Sequence, residues 1–88
     1  MTRLAQDWFV GFFERHGRSL RRYLSRLVSS ADLAEELAQE AFARVYAVRP
    51  ETLQSPRSFL YRTAHNLAMD HARHRQVAAA EPLDDAAP

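Results

Sequence analysis

The apolar residues of this 88-residue chain recur at intervals of three and four, the spacing of one face of an α-helix. No segment alternates between apolar and polar residues for long enough to predict a β-strand. Two such apolar runs lie on either side of Gly17, which we take as a break or bend between two helices. The members of the two runs are Leu4, Trp8, Phe9, Phe12 and Phe13, then Leu20, Tyr23, Leu24, Leu27 and Val28. The pattern predicts an all-α fold, a bundle of three to four helices.

The segment DLAEELAQEAF, residues 32–42, concentrates acid on one helix. Ser29 or Ser30 is placed to cap its N-terminus, and the helix should run to about Val48, before Pro50. On a helical projection, one side is apolar and holds Leu33, Ala34, Leu37, Ala38, Ala41 and Val45. The other side holds Asp32, Glu35, Glu36, Gln39 and Glu40. This side either complements the helix dipole and aids solubility, or it docks a basic partner helix.

A last helix is predicted from Pro56 to about Val77, with Ser55 as its cap. Its inward side should hold Phe59, Leu60, Thr63, Ala64 and Leu67. Residues 78–88 contain two prolines and three acids and lack large apolar residues at helical spacing. We therefore expect one domain over residues 1–77 and a flexible tail or truncated linker over 78–88.

A polar stripe lies on the outer face of this last helix. Its members, spaced four, three and four, are Arg62, Asn66, Met69 and Arg73. Arg57 and Arg75 add charge at either end, and Phe59 and Tyr61 lie near its start. Arginine binds phosphates, asparagine can pair with a base edge, and aromatic rings stack on unpaired bases. The stripe is thus either an ordinary solvated face or a surface for nucleic acid with exposed bases.

Charge is sorted along the chain, with twelve basic residues that are all arginine. Counted in blocks, residues 1–28 carry +4, 29–54 carry −3, 55–77 carry +3 and 78–88 carry −3. Such sorting indicates separate surfaces for separate partners.

Several classes of function find no support in the sequence. It has no cysteine, which fits a cytoplasmic protein, and no apolar run long enough to insert into a membrane. His65, His71 and His74 are spaced so that they point in different directions on a helix and cannot share a metal ion. No nucleophile–base pattern or phosphate loop is present, so we expect no catalysis and no cofactor.

Taken in order, LAEELAQEAF, a two-proline loop and SFLYRTAHNLAMDHARHR resemble region two of bacterial sigma factors, the promoter-melting domain. The chain is most similar to the extracytoplasmic-function (ECF) group and, within that group, resembles the iron-siderophore transport branch. FERHGRSLRRYLSRLV is similar to the helix before the acidic one, so the resemblance covers about residues 9–76. Members of this group also carry a second helical domain, region four, which this sequence is expected to lack.

The resemblance implies a role for each surface. The acidic helix of the family docks on the clamp helices of the largest subunit of core RNA polymerase, and Glu35, Glu36, Gln39 and Glu40 match those positions, with Asp32 beside them. The final helix and its preceding loop would hold single-stranded promoter DNA of the minus-ten element, with one base flipped into a pocket. Asn66 matches the base-reading position, Phe59 an aromatic position, and Arg62, Arg73 and Arg75 the phosphate contacts. An anti-sigma factor is a possible further partner.

Two other functions remain open from the residues alone. A helical protein–protein adaptor without DNA binding would explain the acidic side equally well, but it would not need Asn66, Arg62 and Arg73. A small metal-dependent enzyme would require tight metal uptake.

Overall fold

Three α-helices make up the protein in a computed structural model, which describes residues 3–49 and 52–86, with side chains described over 6–49 and 52–75. The helices are α1 (Arg3–Leu27), α2 (Ala31–Ala47) and α3 (Pro56–Ala86). The all-α prediction is confirmed, with three helices.

Helix α1 runs without interruption through Gly17, so the predicted break there is wrong. Gly17 is buried, and a Cβ built on it would lie 3.4 Å from Nη1 of Arg21, an ordinary contact. A glycine in a helix costs about 1 kcal/mol relative to alanine. Phe12 before it and Leu20 and Leu24 after it all enter the same core. Their burial outweighs that cost and keeps the helix continuous.

Both ends of α2 are fixed by local hydrogen bonds. Ser30 is the N-cap, with extended backbone, and its side chain accepts a hydrogen bond from the Leu33 N–H at 3.1 Å. At the other end, Arg49 has a left-handed backbone (φ 56°), and its N–H donates to the Tyr46 carbonyl at 3.3 Å. The helix therefore ends at Ala47, close to the predicted end.

The core lies where α2 packs against both other helices. Its fully or almost fully buried members are Phe12, Leu20, Leu24, Ala34, Ala38, Ala41, Phe42, Val45, Leu60, Ala64 and Ala68. Alanine dominates the inner faces of α2 and α3, and its small side chain lets the two helix backbones approach closely. Aromatic residues fill the wider space toward the N-terminal half of α1, where the Phe12 and Phe42 rings meet edge to face at 6.1 Å. The predicted apolar faces of α2 and α3 are the faces that pack inward.

Helix α3 begins as predicted, because Ser55 accepts a hydrogen bond from the Ser58 N–H at 3.3 Å and Pro56 occupies the first helical position. It ends at Ala86, so the predicted end near Val77 is wrong. Three alanines follow Val77, and alanine has the highest helix propensity of all residues. The predicted division of the chain at residue 77 stays a prediction.

Polar and aromatic contacts join α1 to α3. Tyr61 and Ser19 share a hydrogen bond of 2.7 Å between their hydroxyls, and the Tyr23 hydroxyl lies 3.0 Å from Nδ1 of His65. The Tyr23 and Tyr61 rings meet edge to face at 5.4 Å. Because Ser19 donates to the His16 carbonyl at 3.3 Å, the Tyr61 hydroxyl is the donor to Ser19. These contacts fix the rotation of α3 about its own axis.

The N-cap of α2 can be tested with two neighbouring serines. We expect Ser30→Ala to lower the free energy of unfolding by about 1 kcal/mol, because one N–H of the first turn loses its acceptor. Ser29→Ala is the matched control and should change it by less than about 0.5 kcal/mol. Urea unfolding followed by circular dichroism measures both; equal effects would show that Ser30 is not the cap.

The hydrogen bond between α1 and α3 gives a second test. Tyr61→Phe keeps the ring and removes the hydroxyl, so the free energy of unfolding should fall by about 0.5–1.5 kcal/mol. Tyr46→Phe removes a tyrosine hydroxyl to which the described part of the chain gives no partner, and we expect it to be nearly neutral. A Tyr61→Phe protein as stable as wild type would contradict the assigned bond.

Candidate functional site

The predicted acidic surface forms a continuous exposed row on α2, which we call the acidic row: Asp32, Glu35, Glu36, Gln39 and Glu40. Glu35 accepts from Nε of Arg21 at 3.3 Å and from Gln39 at 3.3 Å. Glu40 accepts from Nε of Arg44 at 3.0 Å. These pairs are exposed and hold the side chains only weakly. The row therefore offers carboxylates that a cationic partner can take over at little cost.

An apolar groove of about 370 Å³ lies beside the acidic row, between α1 and α2. It is lined by Phe9, Phe13, Gln39, Phe42, Ala43 and Tyr46, and we call it the aromatic groove. Within the aromatic cluster of α1, Phe12 is buried in the core, whereas Phe13 is 40% exposed. Successive residues of a helix point about 100° apart, so Phe13 is turned away from the direction of Phe12. The adjacency of Phe12 and Phe13 is the sequence feature from which the groove could have been predicted.

The predicted stripe on α3 also lies on one outer face. Arg62, Asn66 and Arg73 are exposed and Met69 is half-buried, in the order and spacing that the sequence gave them. Arg73 forms an ion pair with Asp70, one turn earlier. Both arginine side chains are exposed to solvent, and that of Arg73 is held by Asp70.

A cavity of about 380 Å³ opens where the end of α2 faces α3. Its lining residues are Arg44, Ala47, Val48, Phe59, Thr63 and Asn66. Two of the predicted DNA-binding residues, Phe59 and Asn66, thus meet at one site. The sequence did not point to Arg44, Ala47, Val48 or Thr63, because their part in the cavity depends on how α2 and α3 cross. The cavity joins an apolar wall, a ring, an amide and a guanidinium, a combination suited to a flat polar ligand.

Three of the predicted DNA-binding residues lie off the face of α3 that carries the stripe. Tyr61 is half-buried against α1, and the guanidinium carbon of Arg57 lies 4.9 Å from the centre of its ring, a cation–π contact. Arg75 is exposed two residues beyond Arg73, so it lies on nearly the opposite side of α3. Five predicted residues therefore share one face of α3: Phe59, Arg62, Asn66, Met69 and Arg73. Arg57 and Tyr61 lie toward α1.

Positive charge from α1 and α3 meets at His16. Burial lowers the pKa of the His16 imidazole, and the charges of Arg57 and Arg15 lower it further. Within the described side chains, no group of histidine and carboxylate residues could hold a metal ion. Nor does any described helix have the length and apolarity needed to cross a membrane.

Comparison of the sequence with known proteins places the chain in a family. The family model for sigma-70 region 2 matches residues 12–77. The chain is similar to the RNA polymerase sigma factor CarQ of Myxococcus xanthus, at 38% identity over 94% of this chain and 49% of that protein. The chain thus spans about half the length of this curated relative. No solved structure matches the chain significantly.

The match covers most of the chain, including all of α2 and the face of α3 that carries the stripe. This family is non-enzymatic. The chain belongs to the sigma-70 region 2 family, whose domain binds core RNA polymerase and the minus-ten promoter element in transcription initiation.

Proposed function

We propose that the chain is the region 2 domain of an extracytoplasmic-function sigma factor, and that it uses two separate surfaces. The acidic row and the aromatic groove dock on the clamp helices of the largest polymerase subunit. The α3 stripe and the cavity beside it hold the non-template strand of the minus-ten element. The similarity to CarQ and the order of the three sequence segments support the assignment to this group.

The arrangement of α2 supports the docking surface. Carboxylates spread over the exposed side of one helix favour a basic partner helix and speed its encounter. Gln39 belongs to both the acidic row and the wall of the aromatic groove, so the two features are continuous. Stable interfaces combine an apolar centre with a polar rim. We infer that an apolar side chain of the clamp helices enters the groove while basic neighbours pair with Glu36 and Glu40.

The cavity between α2 and α3 is the single observation that carries the DNA proposal. A base that leaves the stack needs an apolar wall, a ring and a hydrogen-bonding group that can read its edge. Phe59 supplies the ring, Asn66 the amide, and Val48 and Ala47 apolar walls. We propose that one unstacked base of the minus-ten strand occupies this cavity and is read by Asn66.

The remaining residues would hold the strand along α3. Arg62 and Arg73 flank Asn66 on the exposed face, so they can contact phosphates on either side of the flipped base. Met69 lies between them and offers apolar contact, whereas Arg75, on nearly the opposite side of α3, and Arg57, toward α1, add only longer-range positive charge. Tyr61 contributes by supporting Arg57 through the cation–π contact.

The same surfaces define where a regulator would act. An anti-sigma factor that covers the acidic row or the cavity would block either polymerase or promoter. A domain with these partners works in the cytoplasm, where polymerase and promoter DNA lie.

Polymerase docking is tested by reversing charge on the acidic row. We expect Glu36→Arg combined with Glu40→Arg to weaken binding to purified bacterial core RNA polymerase by about tenfold or more, because carboxylates become repulsive cations. Asp7→Arg with Glu14→Arg makes the same charge change on α1 and should leave affinity near wild type. If both double variants bind like wild type, the acidic row is not the docking surface.

Base reading is tested with fluorescent single-stranded minus-ten oligonucleotides. Asn66→Ala should cost about 1–3 kcal/mol of preference for the cognate base and leave the salt dependence unchanged. Arg62→Ala with Arg73→Ala should weaken all sequences and reduce the salt slope by about 0.7 per arginine.

Gln39→Ala serves as the amide control, because it removes an exposed amide from α2. Unaltered base preference in Asn66→Ala would remove Asn66 from the reading role, and circular dichroism should show that each variant remains helical.

A further inference from the structure

A second basic surface lies on α1, outside every surface assigned so far. Four exposed arginines, spaced three, four and four, occupy one face of this helix: Arg15, Arg18, Arg22 and Arg26. We call them the α1 basic row. It extends for about 16 Å, given the rise of 1.5 Å per helical residue. None of its guanidinium groups forms an ion pair within the described part of the chain, whereas Arg21 on the adjoining side of α1 pairs with Glu35.

The α1 basic row is continuous with the N-terminal part of α3. Ser19 and Tyr23 lie beside the row on α1, and they hydrogen-bond to Tyr61 and His65 of α3. Arg57 stands over the Tyr61 ring at this junction. Beyond the effect of burial, Arg57 of α3 and Arg15 of the row both lie close enough to His16 to lower the pKa of its imidazole. The acidic row lies on the solvent side of α2 and touches α1 through the Arg21–Glu35 pair.

We propose that the α1 basic row, together with Arg57, binds the phosphate backbone of double-stranded DNA next to the melted minus-ten segment. This inference rests on the proposed function, because it takes the single strand to lie on α3. The proposal assigns a duplex-binding surface to α1, whose other roles are to pack in the core and to line the aromatic groove.

The chemistry of the row favours duplex over single strand. Readers of single strands combine cations with exposed rings on which bases stack. Here the neighbouring rings, Tyr23 and Tyr61, are half-buried and meet edge to face between the helices, so they are poorly placed to stack on bases. Guanidinium groups alone recognise regularly spaced phosphates, which a duplex presents at high density. A rigid helical row of about 16 Å covers close to half a turn of B-DNA, whose full turn is about 34–36 Å.

The test compares four fluorescent ligands by anisotropy at several salt concentrations: a minus-ten single strand, a duplex, and two forks in which the strand continues into duplex on one side or the other. The test variant is Arg18→Gln, Arg22→Gln, Arg26→Gln in the full 88-residue chain. We expect its salt slope on duplex and on one of the forks to fall by about 2.7, or about 0.9 for each lost phosphate contact. Single-strand affinity should stay near wild type, because screening limits distant charges to about 10 Å at 0.1 M salt.

Two neighbouring arginines give a matched control. Arg22→Gln and Arg21→Gln remove the same charge from adjacent positions of α1, but Arg21 faces Glu35 on α2. Only Arg22→Gln should weaken fork binding. Circular dichroism of all variants confirms that the exposed substitutions leave the helices intact.

Each outcome bears on the proposal. Unchanged duplex and fork binding by the triple variant would overturn it, as would an equal loss on single strand and duplex. The proposal would also be overturned if the triple variant lost binding to phosphatidylglycerol vesicles but kept its DNA binding. The α1 basic row would then be a membrane-binding surface. Failure of the proposed function is distinguishable, because it would appear as single-strand binding that is insensitive to Asn66→Ala, whatever the α1 basic row does.

Discussion

The close packing of α2 between α1 and α3 is the constraint on which the rest of the structure depends. Ala34, Ala38 and Ala41 form its inner face, and each is almost completely buried. Because these side chains are small, they leave no room for a charged group, and the carboxylates of α2 must lie outward. The acidic row lies on α2, and residues of α2 line both the aromatic groove and the cavity. The positions of all three therefore follow from this packing.

The three helices separate surfaces of opposite sign. The acidic row occupies the solvent side of α2, while α1 and α3 carry rows of exposed arginines. A domain that binds both a protein and DNA benefits from this separation, because DNA is attracted to one surface and repelled by the other. Arg21 and Glu35 mark the boundary, where the two signs meet in an ion pair.

Much of the local structure followed from the order of residues, because it depends on short-range effects. The acidic side of α2, the caps at Ser55 and at one of two serines, and the exposed stripe of α3 were all predicted correctly. Two predictions about helix ends were wrong. Packing of the core keeps α1 continuous through Gly17, and the high helix propensity of an alanine run extends α3 past Val77. The identity of the family followed from three segments in order, and the family match confirmed it.

The sequence by itself determined which residues share a helical face, because neighbours at three and four positions meet whatever the rest of the chain does. Only the tertiary structure decided which faces meet one another. It placed Phe13 at a groove, brought Arg44 and Val48 to the same cavity as Asn66, and turned Tyr61 toward Ser19. It also placed Arg57 of α3 near His16 and Arg15 of α1. Crossing angles and rotations between helices arise from contacts between side chains far apart in the chain, and no periodicity within one helix contains them.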